Sequence, residues 1–209
     1  KAFIQLTLSI FGVTLLTGCG EELDHNKIRQ NGFVYCGQGG PTSFNPQLVD
    51  SGITSETLSP QLFDTLLTLD SNNFKPIPNL ATSWSVNKAG TEYTFNLRKG
   101  VKFQKTAWFT PKRPMNAEDV VFSFRRIIDS SHPYHYVGSG LYPWFSGIDF
   151  QNLLIDVKAI SEYQVRFTLS RPDNTFLSNI ATSHAVIHSA EYASCLLYTS
   201  PSPRDTRES

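Results

Sequence analysis

The chain has very little cysteine: Cys19, Cys36 and Cys195 are the only three among 209 residues. It has no excess of either charge, with Lys+Arg 18 against Asp+Glu 18 and a formal net charge of zero. Without a basic run there is no electrostatic footprint for nucleic acid. There is no long hydrophobic stretch. The apolar run from Ala2 to Leu16 is too short for a membrane span and is soon followed by Glu21-Glu22. No Ser sits in a nucleophile-elbow pattern and no Cys–His pairing is convincing, so nothing points to catalysis. Gly37-Gln38-Gly39-Gly40 lacks the Lys-Ser/Thr and the following helix that a phosphate cradle needs, and reads as a turn. No internal repeat is visible, and no initiator Met is present, which places the expected start upstream of Lys1.

The two ends read as something other than fold. Lys1, the apolar run and the small residues before Cys19 describe an export signal over 1–19. Leu16-Thr17-Gly18-Cys19 resembles a bacterial lipobox, in which Cys19 takes the lipid; an ordinary signal with a chance Cys is the alternative. Residues 20–31 are polar and read as a flexible tether. At the other end, 195–209 runs C-L-L-Y-T-S-P-S-P-R-D-T-R-E-S. A back-translation of Cys195 to Asp205 resembles a transposon adapter from sequencing libraries, so this segment is expected to be a translated artefact. A Ser/Pro-rich tail is the competing reading. Cys36 is then the one cysteine left to explain. In an oxidising compartment it implies a partner elsewhere or a buried thiol.

Between these ends, the clearest patterning lies at 91–124. Tyr93, Phe95 and Leu97 alternate with Thr94, Asn96 and Arg98, the period of a half-buried strand. Lys99-Gly100 breaks it, and Val101 and Phe103 resume it, predicting a turn and a second strand. Asn116 is placed to cap a helix whose first turn carries Glu118 and Asp119, favourable near the positive end of the dipole. Val120, Val121, Phe124, Ile127 and Ile128 give that helix its apolar face. Upstream, Leu58, Leu62, Leu66 and Leu69 recur at helical spacing and predict a helix over 54–69. Residues 33–36, 155–160 and 164–169 read as strands, 131–150 as irregular, and 174–180 as the start of a helix.

The histidines carry no firm metal site. His132 and His135 stand as H-P-Y-H without a nearby Cys, and His184 and His188 are four apart with no third ligand apparent. Structural histidines are the favoured reading of both pairs. Glu118-Asp119 reads as capping rather than as an acid–base pair, because adjacent helical residues point in different directions. Tyr142, Trp144 and Phe145 read as core, with pocket lining as the alternative.

Several stretches together carry a resemblance: T-E-Y-T-F-N-L-R-K-G-V-K-F at 91–103, R-P-M-N-A-E-D-V-V-F-S-F at 113–124, F-V-Y-C at 33–36, F-N-P-Q at 44–47, and L-F-D-T-L-L at 62–67. P-N-L-A-T-S-W at 78–84, F-Q-K-T-A-W-F-T-P at 103–111, L-S-R-P at 169–172 with Phe176-Leu177, and S-A-E-Y-A at 189–193 continue it. The chain resembles the family 5 extracellular solute-binding proteins, which deliver peptides and nickel to ABC transporters. The likeness runs from about Gly32 to Ala193. It is greatest to peptide-binding members, with the dipeptide-binding branch second.

The resemblance implies a mixed α/β fold of the two-lobed periplasmic-binding-protein type II kind. Residues 32–194 would be its N-terminal part: one incomplete lobe, with about 55–169 as an extra subdomain. Members are usually more than twice this long, so an N-terminal fragment is expected. It further implies a periplasmic lipoprotein of a Gram-negative bacterium, held to the membrane through Cys19. Such a protein would be monomeric, would bind peptide non-covalently between the lobes, and would dock on permease subunits; no cofactor and no nucleic acid are implied. Cys36 would pair with a partner beyond the fragment. Asp50, Ser51, Gly52, Ile53 and Thr54 correspond to the segment that touches ligand in peptide-binding relatives. There, Gly beside small polar residues lets a peptide backbone approach. Asp50 would favour a cationic ligand or an amino terminus, or would cap the helix that follows. Haem, nickel or another small solute on the same scaffold, and an exported hydrolase, are the competing functions.

Overall fold

The computed structural model describes Gly40, residues 43–50 and residues 52–199. The expected export signal with Cys19, the tether, the strand at 33–36 with Cys36, and Ser51 lie outside the described residues, as do residues 200–209.

Two short strands, β1 (Leu67–Leu69) and β2 (Pro76–Pro78), pair antiparallel by themselves. Such a ribbon has free edges, which tolerate the missing N–H groups of its two prolines. The core is built on a four-stranded antiparallel sheet. Its strands are β3 (Ala81–Val86), β4 (Glu92–Leu97), β5 (Leu154–Ser161) and β6 (Gln164–Leu169), in the order β3-β4-β6-β5. On β4, Tyr93, Phe95 and Leu97 point inward, as their alternation predicts; on β6, Val165, Phe167 and Leu169 do the same.

Helix α1 (Ala117–Ile128) closes over that inner face. Val120, Phe124 and Ile127 are fully buried, while Val121 and Ile128 pack at the margin. The rings of Phe95, Phe124 and Phe176 surround Phe167, with centroids 5.4, 4.9 and 5.8 Å away. Each buried Phe contributes about 1.5–3 kcal/mol of transfer free energy, so this cluster is a substantial part of what holds the helix to the sheet. Helix α1 begins as the sequence predicts. Asn116 Oδ1 accepts from the backbone N–H of Glu118 at 3.0 Å, and Asp119 Oδ2 accepts from that of Asn116 at 2.9 Å, a reciprocal capping box.

Two expectations fail. Residues 101–106 form no strand. Both edges of β4 are already taken, by β3 and by β6, which leaves no ladder for Val101 and Phe103 to join. The stretch instead turns away after Gly100 (φ +74°); the Val101 carbonyl accepts from Met115 N at 2.8 Å and its side chain packs at the core's margin. The helix predicted over 54–69 is likewise much shorter. Helical turns span Ile53–Leu58 and Ser59–Leu62, and the backbone is extended from Phe63. Thr65 then bridges to Val186, and β1 begins at Leu67. Leu62 is exposed while Leu66 and Leu67 are both buried, a pattern that helical spacing does not explain but tertiary burial does.

The 131–150 region is irregular as expected, apart from α2 (Pro143–Gly147) and the start of α3 (Phe150–Leu153). Its middle packs closely against Leu48 at Gly138. That residue lies at φ +76°, and a Cβ there would sit 2.7 Å from Leu48 Cδ1. Gly138→Ala is expected to cost about 1–2 kcal/mol from the left-handed backbone, plus displacement of Leu48. A thermal melt checks this, and an unchanged midpoint would refute the constraint.

Helix α4 (Phe176–Asn179) is a single turn, and α5 (Ala190–Thr199) extends past Cys195, which is exposed on it. Among the described residues no helix is long and apolar enough to cross a membrane.

Candidate functional site

The segment expected to meet ligand follows a turn fixed by F-N-P-Q. Asn45 Oδ1 accepts from Gln47 N at 3.1 Å and starts the short 3-10 turn Pro46–Leu48. Gln47 is buried, and its Nε2 donates to the carbonyls of Ser123 and Val186, both at 3.2 Å. One amide thus ties this turn to α1 and to the stretch before α5. Beyond it Asp50 and Gly52 are exposed and Thr54 is buried. Gly52 occupies the cap of the helical turn Ile53–Leu58 with no side-chain cap hydrogen bond, so Asp50 does not serve as that cap.

Instead, Asp50 comes near His184. Burial lowers the pKa of His184, and the Asp50 carboxylate pulls in the opposite direction. The imidazole of His184 lies flat on the indole of Trp144, with centroids 5.0 Å apart and planes 7° from parallel. Neither ring nitrogen of His184 has a hydrogen-bond partner among the described residues. The 3-10 turn also packs against α2, which carries Trp144. The fold therefore gathers an exposed carboxylate, a histidine and an indole around the predicted ligand segment. Tyr142 and Phe145 do not join them: both are fully buried in the core.

The other histidines are placed apart. His135 Nδ1 contacts the Arg126 carbonyl at 2.8 Å, and His132 meets Phe122 edge-on with centroids 5.5 Å apart. His184 and His188 share no helix, since residues 183–188 form none. No group of three or more His, Cys, Asp or Glu side chains is placed to hold a metal ion among the described residues.

A concavity opens elsewhere. It measures about 1130 Å³ and is walled by residues 101–109 on one side and 187–193 on the other. Among the described residues of the predicted ligand segment, Asp50, Gly52 and Thr54 do not line it. Arg126 and His188 line it; nothing in the sequence marks Arg126 as a site residue, and the spacing of His188 from His184 reads as structural. Packing between distant segments buries Arg126 and half-buries His188, which local sequence does not display.

The chain matches bacterial extracellular solute-binding proteins, family 5 (Middle), over residues 75–204. It belongs to that family. Among family 5 relatives, it is 46% identical over 169 residues to the peptide transport periplasmic protein SapA of Salmonella typhimurium, covering 81% of this chain and 31% of that protein. It is 39% identical over 204 residues to heme-binding protein A of Haemophilus influenzae, covering 93% of this chain and 37% of that protein. A solved dipeptide-binding protein from Pseudoalteromonas sp. SM9913, in complex with Met-Leu, superposes with a TM-score of 0.77. Its identity is 43%, over 78% of this chain and 32% of that one. The chain spans about a third of the length of the relatives it matches. The mixed α/β character and the periplasmic-binding-protein likeness expected from the sequence are those of these family 5 structures.

Proposed function

We propose that this chain is part of the periplasmic substrate-binding subunit of an ABC peptide importer. The observation that carries the reading is the 46% identity to a peptide transport periplasmic protein. The mechanism is non-covalent: peptide is held largely through its backbone, lobe closure buries it, and the closed form docks on permease subunits. The protein acts as a monomer, without cofactor or nucleic acid, anchored through lipid on Cys19 in a Gram-negative periplasm. Cys36 pairs beyond this stretch, and residues 195–209 are adapter-derived. The ligand segment is Asp50, Ser51, Gly52, Ile53 and Thr54, with the exposed Asp50 carboxylate favouring cationic peptides or an amino terminus.

Calorimetric titration of the full-length protein with dipeptides and with longer cationic peptides tests the reading, and no binding of either class would defeat it. Asp50→Ala should weaken cationic peptides by about two- to fivefold, the worth of an exposed charge pair, and leave neutral ones unchanged. Equal losses for both would remove the charge argument. The relative named for haem supports a second reading, haem binding, which haemin titration with the Soret band as signal would decide.

A further inference from the structure

His184 sits in a stretch that is tied to both flanks of the predicted ligand segment. Before that segment, Gln47 Nε2 donates to the Val186 carbonyl at 3.2 Å; after it, Ser59 Oγ donates to the Ser183 carbonyl. The imidazole lies flat on the half-buried Trp144 and is 8% exposed, with neither nitrogen hydrogen-bonded among the described residues. His132 and His135 differ. His132 Nδ1 accepts from Tyr134 N at 3.2 Å, and His135 Nδ1 meets the Arg126 carbonyl. A buried polar ring without a hydrogen bond is uncommon in native structures and calls for an explanation. With neither nitrogen anchored, His184 can turn, or take a proton, without breaking a hydrogen bond.

The charges around it are few. Among the described residues, Asp50 is the one charge that acts on the ring. Helices α2 and α4 carry no ionisable side chain. Glu56 is exposed, its Oε1 3.8 Å from where a Cβ on Gly52 would sit, and Asp64 accepts from Asn79 Nδ2. Arg126 acts on His188 and His132 instead. Two groups favour an imidazolium here: the Asp50 carboxylate, and the Trp144 indole through its π face. Burial opposes both, outweighs them, and leaves the ring neutral at pH 7.

We propose that His184 sets the charge a ligand meets at this segment: neutral on Trp144, it leaves the Asp50 carboxylate to a cationic peptide, and as an imidazolium it takes that carboxylate and turns such a peptide away. Proton and cationic peptide then compete for one carboxylate, and each weakens the other by the same factor. This rests on the peptide-importer reading and on Asp50 as part of its ligand segment.

The test uses the full-length protein. A protonated imidazole in contact with an indole quenches its fluorescence, so the emission that Trp144→Phe removes should fall in acid. Its midpoint should lie below pH 6.5 and drop by about half a pH unit in Asp50→Asn, which deletes the carboxylate charge. His184→Phe, which keeps a ring on the indole, should abolish the titration. In calorimetry, tri-lysine should bind the wild type about threefold more weakly at pH 5.0 than at pH 7.5. Tri-alanine, which has the same termini, should bind equally at both, and so should tri-lysine to His184→Phe. If His184→Phe fails to fold, the midpoints of the wild type and Asp50→Asn still decide. A midpoint unmoved by Asp50→Asn would overturn the proposal, as would equal acid losses for the two peptides or for wild type and His184→Phe. If neither peptide binds at either pH, the importer reading fails by itself, and the midpoints still show whether Asp50 and His184 act on each other.

Discussion

Replacing Asp119 with Ala is expected to cost about 3–5 kcal/mol, the loss that follows when one partner of a buried ion pair is removed. Asp119 is fully buried, and its two carboxylate oxygens serve four donors. Oδ2 accepts from Arg113 Nη1 at 2.6 Å and from Asn116 N at 2.9 Å; Oδ1 accepts from Arg113 Nη2 at 3.1 Å and from Ala190 N at 2.9 Å. One side chain therefore closes the capping box of α1, clamps the preceding loop and fixes the start of α5. Alanine leaves two backbone N–H groups and a guanidinium without their acceptor. Arg113 retains 28% side-chain exposure and can recover some hydration, which favours the lower end of the range. Asp119→Asn, which keeps one acceptor oxygen, should cost less. Glu118→Ala supplies the control, because that carboxylate is 72% exposed and 3.6 Å from Arg113. It should change stability by less than about 0.5 kcal/mol. Urea unfolding of the three variants measures this, and equal losses for Asp119→Ala and Glu118→Ala would sink the account.

That contrast also shows how far sequence can reach. Asn116 followed by Glu118-Asp119 and an apolar stripe is local information, so the cap and the buried face of α1 are legible from the residues alone. The alternation of β4 and β6 is legible for the same reason, since each strand's inner residues meet one continuous core. Val101 and Phe103 carry the same alternation yet form no strand, because strand formation needs an unfilled edge and β4 has none left. Leu58 to Leu69 keep a helical period by coincidence of composition: the bridge from Thr65 to Val186 and the pairing of β1 with β2 override it. At the candidate site, Asp50 follows from resemblance and is exposed, but its proximity to His184 is invisible in the sequence. The stacking of His184 on Trp144 joins residues far apart along the chain, and no spacing rule encodes it. Arg126 is hidden for a further reason. As a helical arginine after an apolar stripe it reads as solvated, and only packing against Tyr142 and residues 187–193 reveals that it is not.

His188 gives the second large expectation, a loss of stability in mild acid. Burial, with a smaller push from the Arg126 charge, lowers its pKa from 6.5 to about 3. In the folded protein the ring is neutral; in the unfolded chain it takes a proton below about pH 6.5. Between these two values the unfolded state binds more protons, so stability falls as pH falls. The contribution is fully present above pH 6.5 and is lost progressively toward pH 3. Between pH 7 and pH 5 the loss should be about 2 kcal/mol, from 1.36 kcal/mol per pH unit below the unfolded value. His184 and His132 are shifted the same way, chiefly by burial, and add to the slope with the same sign. His188→Leu isolates the one residue. It keeps an apolar group against Phe63, whose ring centroid lies 5.1 Å from the imidazole, and removes the proton site. Chemical denaturation at pH 7 and pH 5 should show the wild type losing about 2 kcal/mol more than the variant. Parallel pH dependences would mean that His188 reaches solvent, and that the wall of the groove around Arg126 opens far enough to admit water.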